Sequence, residues 1–174
     1  MNIVNVDSSN QHIYLNLAQA YEAEFSRIMQ KKPDEHGRFG LDTELGGVVR
    51  GYLLYIDESP AGHCAIAEET GGHFEVCDFY VVPYFRGQQT GQRFISKLFA
   101  DLGGRWEIKQ VAGAEHAIHF WRKVINHYTR GHFTEDVFND PKWGLVTRQR
   151  FDHHQSFTQQ SFTAHSELSD AALV

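Results

Sequence analysis

The chain is poor in cysteine. It has only Cys64 and Cys77, both inside apolar strand-like runs, and neither has a partner at metal-ligand spacing. A reduced, intracellular setting is the simplest account, and no spacing among the 11 histidines resembles a zinc site, so no metal is expected. Positive charge is also scarce: Lys and Arg total 16 against 22 Asp and Glu, for a net charge of −6 and a pI near 6.0. That balance argues against a broad phosphate-binding surface for nucleic acid and favours a cationic substrate. No apolar run approaches the ~18–20 residues of a membrane span, and the first residues show no basic stretch followed by an apolar one. A cytoplasmic protein that engages no membrane is expected. Internal repeats and linker-like composition shifts are missing too, so the 174 residues read as one domain over 1–152 followed by a polar C-terminal tail, 153–174.

Hydrophobic residues make up 41% of the chain, enough for a core that needs no disulfide. Residues 2–6 form an apolar strand pattern, and Ile13, Leu17, Ala20, Tyr21, Phe25 and Ile28 then recur at helical spacing, with Asp7 or Ser8 as the candidate cap. Residues 31–47 read as a loop. Strands follow at 50–57 and 62–69 around Glu58-Ser59-Pro60-Ala61, and a longer one at 73–82. A strongly amphipathic helix starts near Gly91, buries Phe94, Ile95, Leu98, Phe99 and Leu102, and stops at Gly103-Gly104. A strand at 106–112, a helix from about Ala114, and two strands at 133–138 and 143–151 complete the order.

The segment with most chemical content is Val81-Val82-Pro83-Tyr84-Phe85-Arg86-Gly87-Gln88-Gln89-Thr90-Gly91. It runs from a strand through proline into an Arg-Gly-x-x-x-Gly turn that opens the amphipathic helix. The first turn of a helix leaves N–H groups unpaired at the positive end of its dipole, and glycine lets the main chain approach a ligand closely. A pyrophosphate-bearing ligand is the natural expectation. A P-loop is excluded, because no Gly-Lys-Ser/Thr follows the turn.

This order of elements, with the Val-x-Pro-x-x-Arg-Gly-x-x-x-Gly segment and then Ala117-Ile118-His119-Phe120-Trp121 on a helix, resembles the GNAT superfamily of acetyl-CoA-dependent N-acetyltransferases. The resemblance is strongest over 73–125. It implies an α/β (α+β) fold with a mixed, mostly antiparallel sheet of about seven strands and helices on both faces. It implies acetyl-CoA as cosubstrate, a primary amine of a small molecule or protein as acceptor, and makes a homodimer reasonable. The cofactor-binding residues it implies are Val81, Val82, Arg86, Gly87, Gln88, Gln89, Thr90, Gly91, Phe120 and Trp121. Main chain at Val81 and Val82 would pair with the pantetheine arm, the N–H of Val81 would serve as oxyanion hole, and the loop amides would take the pyrophosphate.

Four positions depart from the family pattern. Gln89 stands where a glycine is usual, at a cost of about 1 kcal/mol if φ is positive there. Ala114 replaces an asparagine that contacts the cofactor arm. Phe120-Trp121 replaces a Phe-Tyr pair, and indole cannot serve as acid to the leaving thiolate. Cys77 replaces an acidic residue, which leaves Asp78 and Glu75 as the nearest carboxylates. Three apart on a strand, these two are expected on opposite faces. Each is either a general base or a surface carboxylate, and a water chain can replace both. Tyr128 is the candidate substitute for the missing tyrosine acid, or else an aromatic packed at the helix end. Asp34, Glu35, Asp42 and Glu44 either recognise a cationic amine or form a solvated loop. Two functions remain open: an acetyltransferase, or a catalytically weakened scaffold that acts as an acyl-CoA-binding sensor or as a protein-interaction module.

Overall fold

The computed structural model describes residues 1–154. Strands β1 (Asn2–Asn5), β2 (Val49–Ile56), β3 (Ser59–Glu69), β4 (His73–Val81), β5 (Arg105–Val111), β6 (Thr134–Asp140) and β7 (Gly144–Asp152) alternate with helices α1 (Gln11–Phe25), α2 (Thr90–Leu102) and α3 (Glu115–Thr129). They form one seven-stranded sheet in the order β1-β2-β3-β4-β5-β7-β6. Among the described residues only β4 and β5 pair in parallel, because α2 carries the chain back to the same end before β5 begins. The expected mixed, mostly antiparallel sheet with helices on both faces is what forms.

Two apolar layers hold the helices. On one face Phe94, Ile95, Leu98 and Phe99 of α2 and Trp121, Val124 and Ile125 of α3 pack on Phe74, Val76, Trp106, Ile108 and Phe151. On the other, Tyr14 and Ala18 of α1 pack on Leu53 and Ala65. His63 lies in that second layer between the rings of Tyr14, Tyr21 and Tyr80. It is fully buried, and burial holds its pKa down at about 3.

Local boundaries differ from the sequence reading where pairing overrides composition. Asn10, rather than Asp7 or Ser8, precedes α1, while the Asp7 carboxylate accepts from Ser9 N and so shapes the entry turn. Asp57 and Glu58, at φ +47 and +66, turn the β2–β3 hairpin, so Ser59 and Pro60 join the strand. At the last hairpin the Asp140 carboxylate accepts from the N–H groups of Lys142 and Trp143. The segment expected as a polar tail begins with His153, whose N–H donates to Gly104 O. From 155 onward it lies outside the described residues.

Candidate active site

Parallel pairing of β4 with β5 covers only His73↔Arg105 to Val76↔Ile108. Beyond Val76 the two strands part. On its other edge β4 carries a bulge: Ala65 faces Asp78, Ile66 faces Val76, and Cys77 is the extra residue. A bulge bends its strand and adds twist, which fits the departure of β4 from β5. The gap opens into a cleft of about 1170 Å³ that reaches from the start of α2 to α1 and the loop before β2.

The bulge also corrects the expectation that Asp78 and Glu75 point to opposite faces. Phe74 and Val76 before it, and Phe79 and Val81 after it, pack on the α2/α3 layer. Glu75, Asp78 and Tyr80 therefore share the α1 face, and both carboxylates line the cleft. They differ in surroundings. Glu75 is paired with Lys109 Nζ at 2.9 Å. Asp78 is 5% exposed and accepts from the Thr43 hydroxyl at 2.9 Å. Burial above all, then the charges of Glu22 and Asp42, push its pKa up to about 6, against the opposing pull of the Thr43 hydrogen bond and Lys31. Lys31 itself donates to buried Glu22 and to Gly40 O, and pairs with Asp42, which pins the 31–47 loop to α1.

At the other end of the cleft the loop from Arg86 to Thr90 has positive φ at Gly87 (+90), Gln88 (+45) and Gln89 (+62). Gln89 thus adopts the left-handed conformation for which glycine would be easier. Among the described residues the N–H groups of Gln88, Gln89, Gly91 and Gln92 have no acceptor; Thr90 N bonds Gly87 O and Arg93 N bonds Gln89 O. Converging, unpaired donors at a helix start make an anion-binding concavity. Gly91 is closely packed: a Cβ there would stand 3.2 Å from the Phe120 ring, so the ring would have to give way by a few tenths of an ångström. That ring stacks on Phe79, and Trp121 meets Phe79 edge-on, so an aromatic wall lines the middle of the cleft.

Val82 N donates to Ala61 O. Hydrogen-bonded pairs alternate along an antiparallel ladder, so Val81, opposite Gly62, turns its N–H and C=O away from β3 and toward the gap. Val82, whose N–H is engaged, does not border the cleft. Arg86 turns its guanidinium away from the loop: Nε donates to Val81 O, and the fork grips the Glu24 carboxylate at 3.0 and 2.6 Å. It braces the loop against β4 and α1.

Tyr128 requires a correction. Its ring packs on Phe99 and Phe151, and its hydroxyl meets His153 Nδ1 at 2.7 Å. It does not line the cleft, because residue 128 falls two turns beyond Trp121 on the part of α3 that faces β7. Of the loop carboxylates, Asp42 and Glu44 line the cleft, whereas Asp34 accepts from His36 N and Arg38 N in its own turn. Sequence reasoning missed Tyr21, Thr43, Lys109 and Gln110, all of which line the cleft. Gln110 left a signal, a polar residue closing the apolar row Trp106, Ile108.

The Acetyltransferase (GNAT) family matches residues 11–126, and the chain belongs to that family. No curated relative matches it. Among solved structures, the ribosomal-protein-S18-alanine N-acetyltransferase from Escherichia coli superposes with a TM-score of 0.59 at 11% identity, over 87% of this chain and 93% of that one. A GNAT family acetyltransferase from Elizabethkingia anophelis, solved with acetyl-CoA bound, gives 0.56 at 11% identity over 87% and 97%. An acetyltransferase from Bacillus subtilis in complex with CoA gives 0.53 at 12% over 87% and 97%. At such identities the similarity shows the fold alone.

Proposed function

We propose that the protein transfers an acetyl group from acetyl-CoA directly to a primary amine that arrives as a cation. The observation that carries this reading is a single cleft joining the unpaired N–H groups of Gln88, Gln89, Gly91 and Gln92 to the buried carboxylate of Asp78. The amides suit a pyrophosphate. The main chain of Val81 faces the gap between β4 and β5, where its N–H can stabilise charge developing on a thioester carbonyl oxygen. At the α1 end the carboxylates of Asp42, Glu44, Glu75, Asp78 and Asp140 outnumber the lining ammonium groups of Lys109 and Lys142, and although Lys31 and Lys109 pair with three of them, the balance suits a cationic amine. Asp78 then takes a proton from that ammonium, the amine nitrogen attacks the carbonyl carbon, and the carbon–sulfur bond breaks to release a thiolate, which takes up the second proton that the nitrogen sheds as the amide forms. Glu75, engaged by Lys109, is the poorer base. Its role is to hold Lys109.

One observation favours the second reading, a weakened scaffold that binds acyl-CoA: the hydroxyl of Tyr128 is turned to His153, so the tyrosine expected as acid to the leaving thiolate stands outside the cleft. Thermal unfolding with acetyl-CoA, with ATP as control, followed by thiol release in the presence of amines, separates the two. A ligand at ~100 times its Kd raises stability by ~2.7 kcal/mol. A rise with acetyl-CoA alone together with amine-dependent thiol release is the expected result. A rise without release selects the scaffold, and no rise overturns both readings.

A further inference from the structure

Gln110 stands on the β5 side of the gap, two residues past Ile108, the last residue of β5 that pairs with β4. It is 5% exposed and borders the cleft, yet neither its Oε1 nor its Nε2 has a hydrogen-bond partner among the described residues. Strand alternation sends it the way of Trp106 and Ile108, toward the α3 side. The α3 residues that line the same cleft include His116, Trp121, Lys123 and Val124, and none of them is hydrogen-bonded to it among the described residues. A buried amide with neither donor nor acceptor matched is costly, so such groups are rare unless something else completes them. No β4 residue pairs beside it, because the parallel ladder ends at Val76 and Ile108.

We propose that Gln110 is the side-chain contact for the amide-bearing arm of the acyl-CoA cosubstrate, its Nε2 donating to a carbonyl of the arm and its Oε1 accepting from an amide N–H. This rests on the acetyl-CoA reading above. Val81 on β4 turns its N–H to the same gap, while its C=O is engaged by Arg86, so an arm threaded between the strands meets a main-chain N–H on one side and a primary amide on the other. The pantetheine unit carries two secondary amides, and their donor and acceptor pattern complements that of a carboxamide. Gln110 positions the arm and takes no part in proton transfer.

Gln110→Leu keeps the volume and removes both polar atoms. Binding is measured for acetyl-CoA and for adenosine 3′,5′-bisphosphate, which carries the nucleotide without the arm, alongside thermal unfolding of the ligand-free protein. The expected result is about tenfold weaker acetyl-CoA binding, bisphosphate binding within twofold of the parent, and a ligand-free protein that melts about 2–4 °C higher. Gln110→Glu is the second variant, since it keeps the acceptor and loses the donor, and it should show an intermediate loss on acetyl-CoA alone. Unchanged acetyl-CoA affinity in Gln110→Leu overturns the assignment, and so does an equal loss for both ligands, which would mark a structural role. If the parent binds bisphosphate and acetyl-CoA equally, the arm makes no contact and Gln110 has no such role. If the parent binds neither, the acetyl-CoA reading itself has failed and this inference falls with it.

Discussion

At the α2 end of the cleft the polar groups are main-chain N–H groups of residues 88 to 92, whereas at the α1 end they are side chains: Asp78, Thr43, Glu75 and Lys109. Backbone donors are available whatever side chain stands at the position. The α2 end therefore tolerates Gln88 and Gln89 where glycine would be easier, at a cost in strain. The α1 end has no such tolerance, because its chemistry depends on which carboxylate is buried and which is paired. Its environment separates two carboxylates on one strand into a poised group and an ion-paired one, and burial rather than residue type makes the distinction.

Substitutions at the two ends should consequently act on different measurements. The largest effect is expected for Asp78→Asn, with kcat lowered by about 10²–10⁴ and acetyl-CoA affinity within twofold of the parent. In steady-state thiol-release assays the acidic limb of the rate profile, centred near the Asp78 pKa of about 6, should vanish as well. A variant with full activity would remove Asp78 from the mechanism. At the opposite end, Gly87→Glu should weaken acetyl-CoA binding by at least 10² through a negative charge set among the amides. The fold should survive, since nothing lies within 4 Å of the added Cβ, although φ of +90 carries about 1–2 kcal/mol of strain. Calorimetric binding and circular dichroism together report the two.

Stability should separate the α1 layer from the α2 end in its pH dependence. The folded pKa of His63, about 3, lies below its unfolded value, so the unfolded chain binds more protons between pH 6.5 and 3. Stability then falls with acid through that window, by up to about 3–5 kcal/mol in the limit. His63→Leu should flatten that fall in denaturant titrations at pH 4 and 7. Asp78 has the opposite sign. Its folded pKa of about 6 lies above the unfolded 3.8, so the folded protein binds the extra proton, and stability declines as pH rises from 4 to 6. Asp78→Asn should recover about 1–3 kcal/mol at pH 7 and little at pH 4. The smallest change is expected from Gln89→Gly, a net gain of about 0.5–1 kcal/mol as relief of left-handed strain exceeds the added chain entropy. An unchanged melting temperature would mean the loop carries no strain there.

The α2 end was readable from residue order. Apolar spacing in 94–102 sets the helix, Gly103-Gly104 stops it, and the glycines before it announce the tight loop. The α1 end was not. Nothing in Glu75-Val76-Cys77-Asp78 signals a bulge, because the extra residue exists only by reference to Ala65 and Ile66 on β3. Thr43 and Asp78 are 35 residues apart, and Lys31 reaches Glu22 and Asp42 only once the loop folds onto α1. Tyr128 could be placed on a helix from its spacing, but whether its hydroxyl met the cleft or His153 depended on where β7 lay.

By itself the sequence determined the order of elements, the apolar face of α2 and the existence of a donor-rich turn before α2, since periodicity, turn chemistry and helix termini are local properties. On α1 it misjudged the face, because Tyr14, Ala18 and Glu22 are the buried residues, while Ala20 and, past the helix end, Ile28 are exposed. The tertiary structure alone decided that β4 and β5 part after Val76 and Ile108, that Glu75 and Asp78 share a face, that Arg86 grips Glu24, and that Gln110 borders an open gap. Those outcomes follow from strand pairing between segments distant in sequence, and from a carboxylate's burial, which no stretch of sequence holds on its own.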